Sequence, residues 1–274
     1  MEILNSIILG IIQGVTEFLP ISSSGHLILF REFFSRPNSY DLAFDAVLQL
    51  ATTFAILVYF RQNLTDLGRA FLQFFGLSKK QYDKKILNTQ KTLLWAIILG
   101  TIPAIVLGLI LEGSMETIFR NSNIVALSLI FGSIIMLLAE FYFSKLKNKN
   151  FQISKNKSII IGLFQSLALI PGMSRSGMTI SGGLFVGLDR ELAVRFSFLL
   201  SIPILLITGF KKFFDLIYSG QISIIGFDMI IGSITAFLFG IISIHFLITF
   251  LRNNSLKLFI FYRLILAAII LFLI

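Results

Sequence analysis

The sequence predicts an all-α integral membrane protein with an inverted-topology repeat, in which each half is a re-entrant helical hairpin plus three transmembrane helices. Composition is the first evidence, because 56% of the 274 residues are hydrophobic and 30 residues are phenylalanine. A soluble domain of this size could not bury so much apolar surface. The chain has no cysteine, so disulfides, thiolate ligands and a cysteine nucleophile are excluded.

Six apolar runs are long enough to cross a bilayer as helices. A transmembrane helix needs about 20 apolar residues. The predicted spans cover residues 42–60, 92–111, 122–143, 193–210, 224–250 and 257–274.

Two further apolar regions are each broken by a proline. Residues 158–170 and 177–188 flank Pro171. As helices, these pieces are each about 20 Å long, short of a hydrocarbon core of roughly 30 Å. A hairpin that enters and leaves on one face fits these lengths. Residues 3–34 are broken in the same way, and a full span over residues 3–19, about 25 Å long, is the alternative.

The second half of the chain repeats the first, which predicts a single membrane domain over residues 1–274, with repeat one at 1–145 and repeat two at 155–274. At an offset of 152 residues the matched pairs are Gly10 and Gly162, Gln13 and Gln165, Ser22 and Ser174, Ser24 and Ser176, Gly25 and Gly177, and Phe44 and Phe196. Residues 100–108 also resemble residues 232–240, at an offset of 132. Three spans per half give the two copies opposite orientations. The alternative is that glycine and serine recur because they pack membrane helices.

Lysine and arginine residues are divided unequally between the two sides of the predicted domain. If the loop 61–91 is cytoplasmic, 16 of the 23 lie on that side and five on the other, which obeys the positive-inside rule. Both termini then lie outside the cytoplasm, and the first hairpin enters from the outer face and the second from the inner face. These loop charges account for the net charge of +9, so nucleic acid is not expected as a partner.

Polar residues cluster at the break in the first hairpin. Gln13 and Glu17 are four residues apart, so they project from one face of a helix. A carboxylate in an apolar segment is a general acid or base, a metal ligand, or the partner of a structural cation. Ser22-Ser23-Ser24-Gly25 offers capping hydroxyls and free N–H groups at a helix start, where an anion is favoured. His26, one turn further, is close enough to take a proton from a serine or to be the nucleophile.

The second hairpin carries Ser174-Arg175-Ser176-Gly177 at the matching place. It has leucine and methionine where the first hairpin has Glu17 and His26. The planar guanidinium of Arg175 suits a bidentate grip on phosphate oxygens. An ion pair with Glu17 is the structural alternative. Both interpretations place one polar site between the two hairpins.

These motifs carry a resemblance to a known family. Gln13-x-x-x-Glu17 with Pro20-Ile-Ser-Ser-Ser-Gly-His26, followed by Pro171-Gly-Met-Ser-Arg-Ser-Gly177, resembles the two signature motifs of the bacterial undecaprenyl-diphosphatase family of the bacitracin-resistance type. The resemblance implies hydrolysis of undecaprenyl diphosphate to undecaprenyl phosphate and inorganic phosphate, which recycles the lipid carrier for peptidoglycan synthesis. It also implies a site open to the periplasmic or outer face of the plasma membrane and a divalent cation, Mg²⁺ or Ca²⁺.

The resemblance also assigns roles to individual residues. The catalytic set is Glu17, Ser23, His26 and Arg175, with Glu17 also as the metal ligand. Gln13 stands where the family often has a second glutamate, so this chain has one carboxylate fewer for a metal. Serine, histidine and water all remain open as the nucleophile. The expected substrate-binding residues are Gln13, Ser22, Ser24, Gly25, Ser174, Ser176 and Gly177.

Transport is the competing function, because inverted repeats with broken helices are typical of secondary transporters. A transporter or flippase of a lipid phosphate could use the same scaffold. Gln49, Tyr262 and Arg263 are polar residues within spans and are further candidates for the surroundings of the site. The expected partners are the lipid substrate and membrane lipids, and the sequence leaves the oligomeric state open, a homodimer included.

Overall fold

The structure is a computed structural model that describes residues 3–34, 41–75, 84–117, 122–146, 152–218 and 226–273. These ranges form eleven α-helices, which agrees with the predicted all-α class. In chain order they are α1 Ile3–Thr16, α2 Ser23–Phe34, α3 Asp41–Tyr59, α4 Arg61–Phe74, α5 Lys84–Thr117, α6 Ser122–Lys145, α7 Lys155–Leu167, α8 Arg175–Phe185, α9 Arg190–Tyr218, α10 Phe227–Asn253 and α11 Lys257–Leu273.

Four of these helices, α5, α6, α9 and α10, are long and apolar enough to cross a membrane, and α3 with α4 makes a fifth if the bent pair counts as one span. Large apolar side chains remain exposed along them. On α5, for example, Leu109 and Ile110 are each 70% exposed. Apolar surface of this extent is stable against lipid rather than water. The chain is a multi-pass membrane protein.

The region after α3 differs from the prediction of a cytoplasmic loop over 61–91. The chain turns by 74° near Phe60 and continues as α4, and α5 already begins at Lys84. Helix α4 is amphipathic, with Leu67 and Ala70 buried between exposed polar residues. A search for continuous apolar runs does not detect such a helix, because only one of its faces is apolar.

The last predicted span is shorter in the described part of the chain. Helix α11 has 17 residues, about 25 Å, so a full crossing by this helix stays a prediction. Helices α5, α6 and α9 extend beyond the predicted spans, whereas α3 and α10 are shifted, with α3 ending at Tyr59 rather than at residue 60 and α10 ending at Asn253 rather than at residue 250. Helix α9, for instance, runs from Arg190 to Tyr218 rather than over 193–210.

The two proline-broken regions form the helix pairs α1/α2 and α7/α8, as predicted. Their non-helical breaks cover residues 17–22 and 168–174, and we call them break one and break two. Helix α7 starts earlier than the apolar run because Ser154 caps it, accepting a hydrogen bond from the Lys157 backbone N–H at 3.4 Å. Each break is six or seven residues long rather than one proline, so the polar motifs lie partly within the breaks.

Glycines set the closest helix contacts of the two hairpins. Helix α1 packs on α10, and a Cβ added to Gly10 would lie 2.5 Å from the Gly232 carbonyl oxygen. Helix α7 packs on α5, and a Cβ on Gly162 would lie 2.3 Å from the Gly100 carbonyl oxygen. Small residues let the backbones of membrane helices approach this closely. The first helix of each hairpin therefore packs on a long helix from the other half of the sequence.

Candidate active site

The two hairpin breaks are in direct contact. Ser24 Oγ accepts a hydrogen bond from the Gly172 backbone N–H at 3.2 Å, and Ser176 Oγ donates to the Leu19 carbonyl oxygen at 3.1 Å. The two serines are a matched pair in the sequence repeat, and each one bridges to the backbone of the opposite break. Phe18, fully buried and edge-on to Phe198 at 5.7 Å, anchors break one in the apolar core.

Each break ends in a serine with an unusual backbone conformation. Ser22 has φ 74° and Ser174 has φ 69°, in the left-handed region that non-glycine residues rarely adopt. Both cap the helix that follows, since their hydroxyls accept from the N–H groups of Gly25 (3.5 Å) and Gly177 (3.2 Å). Such conformations cost on the order of 1–3 kcal/mol each and cluster at functional sites.

A cavity of about 300 Å³ lies where the breaks meet. Both breaks contribute to its wall, and so do helices α3, α5 and α9. The starts of α2 and α8 also face it, which places the positive ends of two helix dipoles at one polar space. Its polar lining consists of Thr16, Glu17, Ser22, Ser23, Ser24, Gln49, Gln165, Ser174, Arg175, Thr208 and Lys212.

Glu17 is the hub of the polar contacts in the cavity. Its Oε2 accepts hydrogen bonds from Gln13 Nε2 and Ser23 Oγ, each at 3.1 Å. Its Oε1 accepts from Arg175 Nη2 at 3.2 Å, so the acid and the base of the two hairpins form an ion pair. The side chains are nearly buried, with 10% of Glu17 and 12% of Arg175 exposed.

The ion pair leaves part of Arg175 available. Its Nη1 is buried and has no hydrogen-bond partner among the described residues. An unpaired buried donor on a cation is costly, about 1–3 kcal/mol or more, unless a ligand or water accepts from it. The structural and the phosphate-binding interpretations of Arg175 are therefore compatible, because one nitrogen binds Glu17 and the other can bind an anion.

His26 lies next to the cavity but does not line it. Its Nδ1 is 2.7 Å from the Ser22 carbonyl oxygen and its Nε2 is 2.7 Å from Tyr262 Oη, with the two rings stacked at 5.5 Å. Because a carbonyl can only accept, Nδ1 carries the proton and Nε2 accepts from the tyrosine hydroxyl. The nitrogen that would attack or accept a proton thus faces Tyr262, and a catalytic role for His26 stays a prediction.

The other predicted site residues divide into two groups. Ser22, Ser23, Ser24 and Ser174 line the cavity directly. Behind the lining lie Gln13, which holds Glu17, Ser176, which holds the opposite break, and the first-turn glycines Gly25 and Gly177.

Sequence reasoning missed Gln165 as a residue of the site. It is 2% exposed, it lines the cavity, and neither amide atom has a hydrogen-bond partner among the described residues. The sequence repeat could have identified Gln165, because the repeat matches it to Gln13. Its counterpart Gln13 binds Glu17, but the second hairpin has Leu169 at the position that matches Glu17. The amide of Gln165 is left facing the cavity.

Residues of α9 also line the cavity and were not predicted to do so. Thr208 and Lys212 approach it from this helix, and Lys212 Nζ donates to Gln49 Oε1 at 3.1 Å. The sequence assigns Lys212 only to the charges of the outer face. No local motif marks these side chains, since only the packing of α9 against α3 brings them to the site.

Arg263 supports break two from behind. It is fully buried, its Nη2 donates to the carbonyl oxygens of Leu129 (3.1 Å) and Gly172 (3.0 Å), and its Nε donates to Ser133 Oγ at 3.0 Å. A Cβ on Gly132 would lie 2.4 Å from this Nη2, so glycine makes room for the guanidinium. Of two neighbouring residues on α11, Tyr262 therefore contacts the first hairpin through His26 and Arg263 contacts the second through Gly172.

Comparison with known proteins follows the same motifs. The family model described as Bacitracin resistance protein BacA matches residues 6–269. A protein named undecaprenyl-diphosphatase from Chloroherpeton thalassium is 40% identical over 282 residues, covering 99% of this chain and 96% of that protein. A protein of the same name from Mycolicibacterium smegmatis is 40% identical, and the match covers 99% of this chain and 96% of that protein. Another from Geotalea daltonii is 41% identical, and the match covers 96% of this chain and 95% of that protein. The chain belongs to the bacitracin resistance protein BacA family.

Proposed function

We propose that this protein hydrolyses undecaprenyl diphosphate to undecaprenyl phosphate and inorganic phosphate, and so recycles the lipid carrier of peptidoglycan synthesis. The observation that carries the proposal is the buried arrangement of Glu17, Ser23 and Arg175 across the two breaks, with Arg175 Nη1 still unpaired. The names of relatives that are about 40% identical along nearly the whole chain support the same substrate.

The size of the cavity favours the head of the lipid as its occupant. A volume of about 300 Å³ is at the lower limit for ligand pockets. A diphosphate group matches this space and polarity, and the polyprenyl tail stays in the bilayer beside the hairpins. Arg175 Nη1 and the starts of α2 and α8 bind the terminal phosphate.

Ser23 is the nucleophile of the proposed mechanism. Its hydroxyl donates to Glu17 Oε2 at 3.1 Å, within reach for proton transfer. As Ser23 Oγ bonds to the terminal phosphorus, the bond from that phosphorus to the bridging oxygen breaks, and Glu17 passes the serine proton to the departing undecaprenyl phosphate. Glu17 then takes a proton from a water molecule that attacks the phosphoserine, the bond from phosphorus to Ser23 Oγ breaks, and Glu17 passes that proton to Ser23 Oγ as inorganic phosphate leaves. Arg175 stabilises the charge that develops on the phosphoryl oxygens.

A divalent cation, Mg²⁺ or Ca²⁺, belongs to this proposal. The described residues hold no group of three or more His, Asp or Glu side chains that would form an all-protein metal site. Magnesium is commonly held by one or two carboxylates together with substrate phosphates. Glu17 would supply the one carboxylate, and the unpartnered amide oxygen Oε1 of Gln165 would be a further neutral oxygen ligand. The cation supplies neutralisation of the diphosphate when it is bound.

We also propose an inverted repeat in the bacterial plasma membrane, with the site open to the periplasmic or outer face. The exchange of glycine contacts, Gly10 with Gly232 and Gly162 with Gly100, supports the repeat, because both contacts join positions that the repeat matches. The positive-inside distribution supports the orientation. Since the chain has no cysteine, single cysteines at Lys145 and Lys211 can be labelled from outside intact cells, and only the one at 211 should react.

The deciding experiment is phosphate release from undecaprenyl diphosphate by purified protein in detergent. The parent should release inorganic phosphate, and Arg175→Ala and His26→Ala should lose most of the rate while still melting as folded proteins. A transporter or flippase would release none. Rapid quenching in denaturing detergent at neutral pH, which preserves both phosphoserine and phosphohistidine, and mass mapping then identify the nucleophile, and a phosphate on His26 instead of Ser23 would replace the serine scheme.

A further inference from the structure

The two cations that line the cavity differ in exposure. Arg175 is nearly buried, with 12% of its side chain exposed, and it lines the cavity together with the buried Gln165 and its ion-pair partner Glu17. Lys212 is exposed, and Gln49 and Thr208, which line the same cavity, are half-buried. We take the side of Arg175 as the buried end of the cavity and the side of Lys212 as its exposed end.

Lys212 has a neutral hydrogen-bond acceptor but no carboxylate partner among the residues that the structure describes. Its ammonium donates to the neutral amide oxygen of Gln49 at 3.1 Å. Glu17, the one carboxylate among the described residues that line this cavity, is already paired with Arg175. By contrast, Arg190, near the start of the same helix, has a carboxylate partner in Glu140 at 2.6 Å.

The position of Lys212 along α9 places it near a membrane surface. It follows Arg190 by 22 residues, a rise of about 33 Å, which is roughly the thickness of a hydrocarbon core. Arg190 and Lys212 thus lie at opposite ends of one span. A lysine at the end of a span of this length is expected near the headgroup region, where lipid phosphates lie.

We propose that Lys212, oriented by Gln49, binds the phosphate that carries the lipid tail, while Arg175 binds the terminal phosphate. This inference rests on the proposed hydrolysis. The terminal phosphorus must reach Ser23 at the buried end, so the lipid-linked phosphate is left toward the exposed end, where the tail can pass into the bilayer. Two cations spaced along the cavity recognise a diphosphate, and a monophosphate can satisfy only one of them at a time.

The two products of the reaction make this division testable. Farnesyl diphosphate serves as a short substrate, and farnesyl monophosphate and inorganic phosphate serve as inhibitors that report on the two ends. For Lys212→Gln in detergent we expect KM for farnesyl diphosphate and the inhibition constant of farnesyl monophosphate to rise together, each by about tenfold. The inhibition constant of inorganic phosphate should stay within about twofold of the parent value.

Two further variants separate a specific contact from a general loss of charge. Lys212→Arg keeps a cation at the cavity and should restore most of the affinity for farnesyl monophosphate. Lys211→Gln removes the neighbouring charge, which does not line the cavity, and should behave as the parent. Equal effects of Lys211→Gln and Lys212→Gln, or a parallel loss of inorganic phosphate inhibition, would overturn the assignment.

The binding of farnesyl monophosphate is also measured by thermal shift, so that the inference can be judged without turnover. A parent that binds the monophosphate but releases no phosphate contradicts the proposed hydrolysis alone. An active parent whose Lys212→Gln variant has unchanged KM and unchanged monophosphate binding contradicts the role of Lys212 alone.

Discussion

The two hairpins share one backbone plan and differ in their chemistry. Each break ends in a left-handed serine cap, Ser22 or Ser174, and each hairpin sends a serine hydroxyl to the backbone of the other. Only the first hairpin has the carboxylate, and only the second has the arginine that pairs with it. Identical copies would bring like charges together where the breaks meet, which is unfavourable in a site this buried. Two hairpins with matching breaks therefore need different side chains to form a charged site.

The matched glutamines show the same divergence. Gln13 and Gln165 are both buried. The amide nitrogen of Gln13 donates a hydrogen bond to Glu17, whereas the amide of Gln165 faces the cavity with no partner among the described residues. One glutamine orients a catalytic candidate, and the other is available to a ligand. The difference follows from Leu169, which replaces the acid in the second hairpin.

The largest expected effect comes from the pair of charges that distinguishes the hairpins. Arg175→Ala should lower kcat by about 10²–10³-fold, the usual range for removing one group that stabilises developing charge. Arg175→Lys should recover only part of this loss. An ammonium lacks the planar, rigidly spaced N–H donors with which a guanidinium can bind Glu17 and a phosphate at the same time. Steady-state phosphate release measures both variants. An Arg175→Ala enzyme within tenfold of the parent would remove the second hairpin from the chemistry.

His26 and Met178 occupy matching positions and should respond in opposite ways. His26→Ala should reduce kcat by about 10²-fold, because it removes the imidazole that the family resemblance assigns to catalysis. Met178 is fully buried, so Met178→Ala should instead cost about 2–5 kcal/mol of stability through lost packing. Kinetics and thermal melting on both variants separate these outcomes. Tyr262→Phe frees Nε2 of His26, and an equally large loss in that variant would mean that the tyrosine contact itself is essential.

The two glutamines should separate activity from stability. Gln165→Leu should lower kcat about tenfold without lowering the melting temperature, because it removes two buried polar atoms that have no protein partner. Gln13→Leu should be less stable by about 1–3 kcal/mol, since Glu17 loses a donor. Unfolding and phosphate release are measured on the same preparations. Matching behaviour of the two variants would contradict their different roles.

The last predictions concern stability alone and test the helix contacts between the two halves of the chain. Gly10→Ala and Gly162→Ala each place a Cβ within 2.5 Å of a backbone oxygen, so each should destabilise the protein by about 1–3 kcal/mol. Gly68→Ala on α4 is the control, because its Cβ meets nothing within 4 Å, and it should be neutral or stabilising by up to about 1 kcal/mol. Thermal melting in detergent measures all three. A stable Gly162→Ala beside an unstable Gly10→Ala would show that the two contacts are not equivalent.

The helical membrane fold, the two proline-broken hairpins and the residues at their breaks could all be predicted from the sequence. Hydropathy and helix-breaking residues act locally, and the repeat shows which local patterns correspond. The amphipathic helix α4 was missed for a related reason: its apolar residues lie on one face and form no continuous run.

The contacts of the site depend on how helices far apart in the sequence pack together. The pairing of Glu17 with Arg175 was one of two open alternatives, and the structure adds the unpaired Nη1 that makes both compatible. The direction of His26 toward Tyr262, the support of Gly172 by Arg263 and the approach of Lys212 to the cavity could not be foreseen. A sequence pattern fixes which face of its own helix a side chain is on, whereas the neighbour across that face is set by helix crossing and depth. For this reason the sequence predicted the polar residues of the two hairpins, but it did not predict that Lys212 would line the cavity.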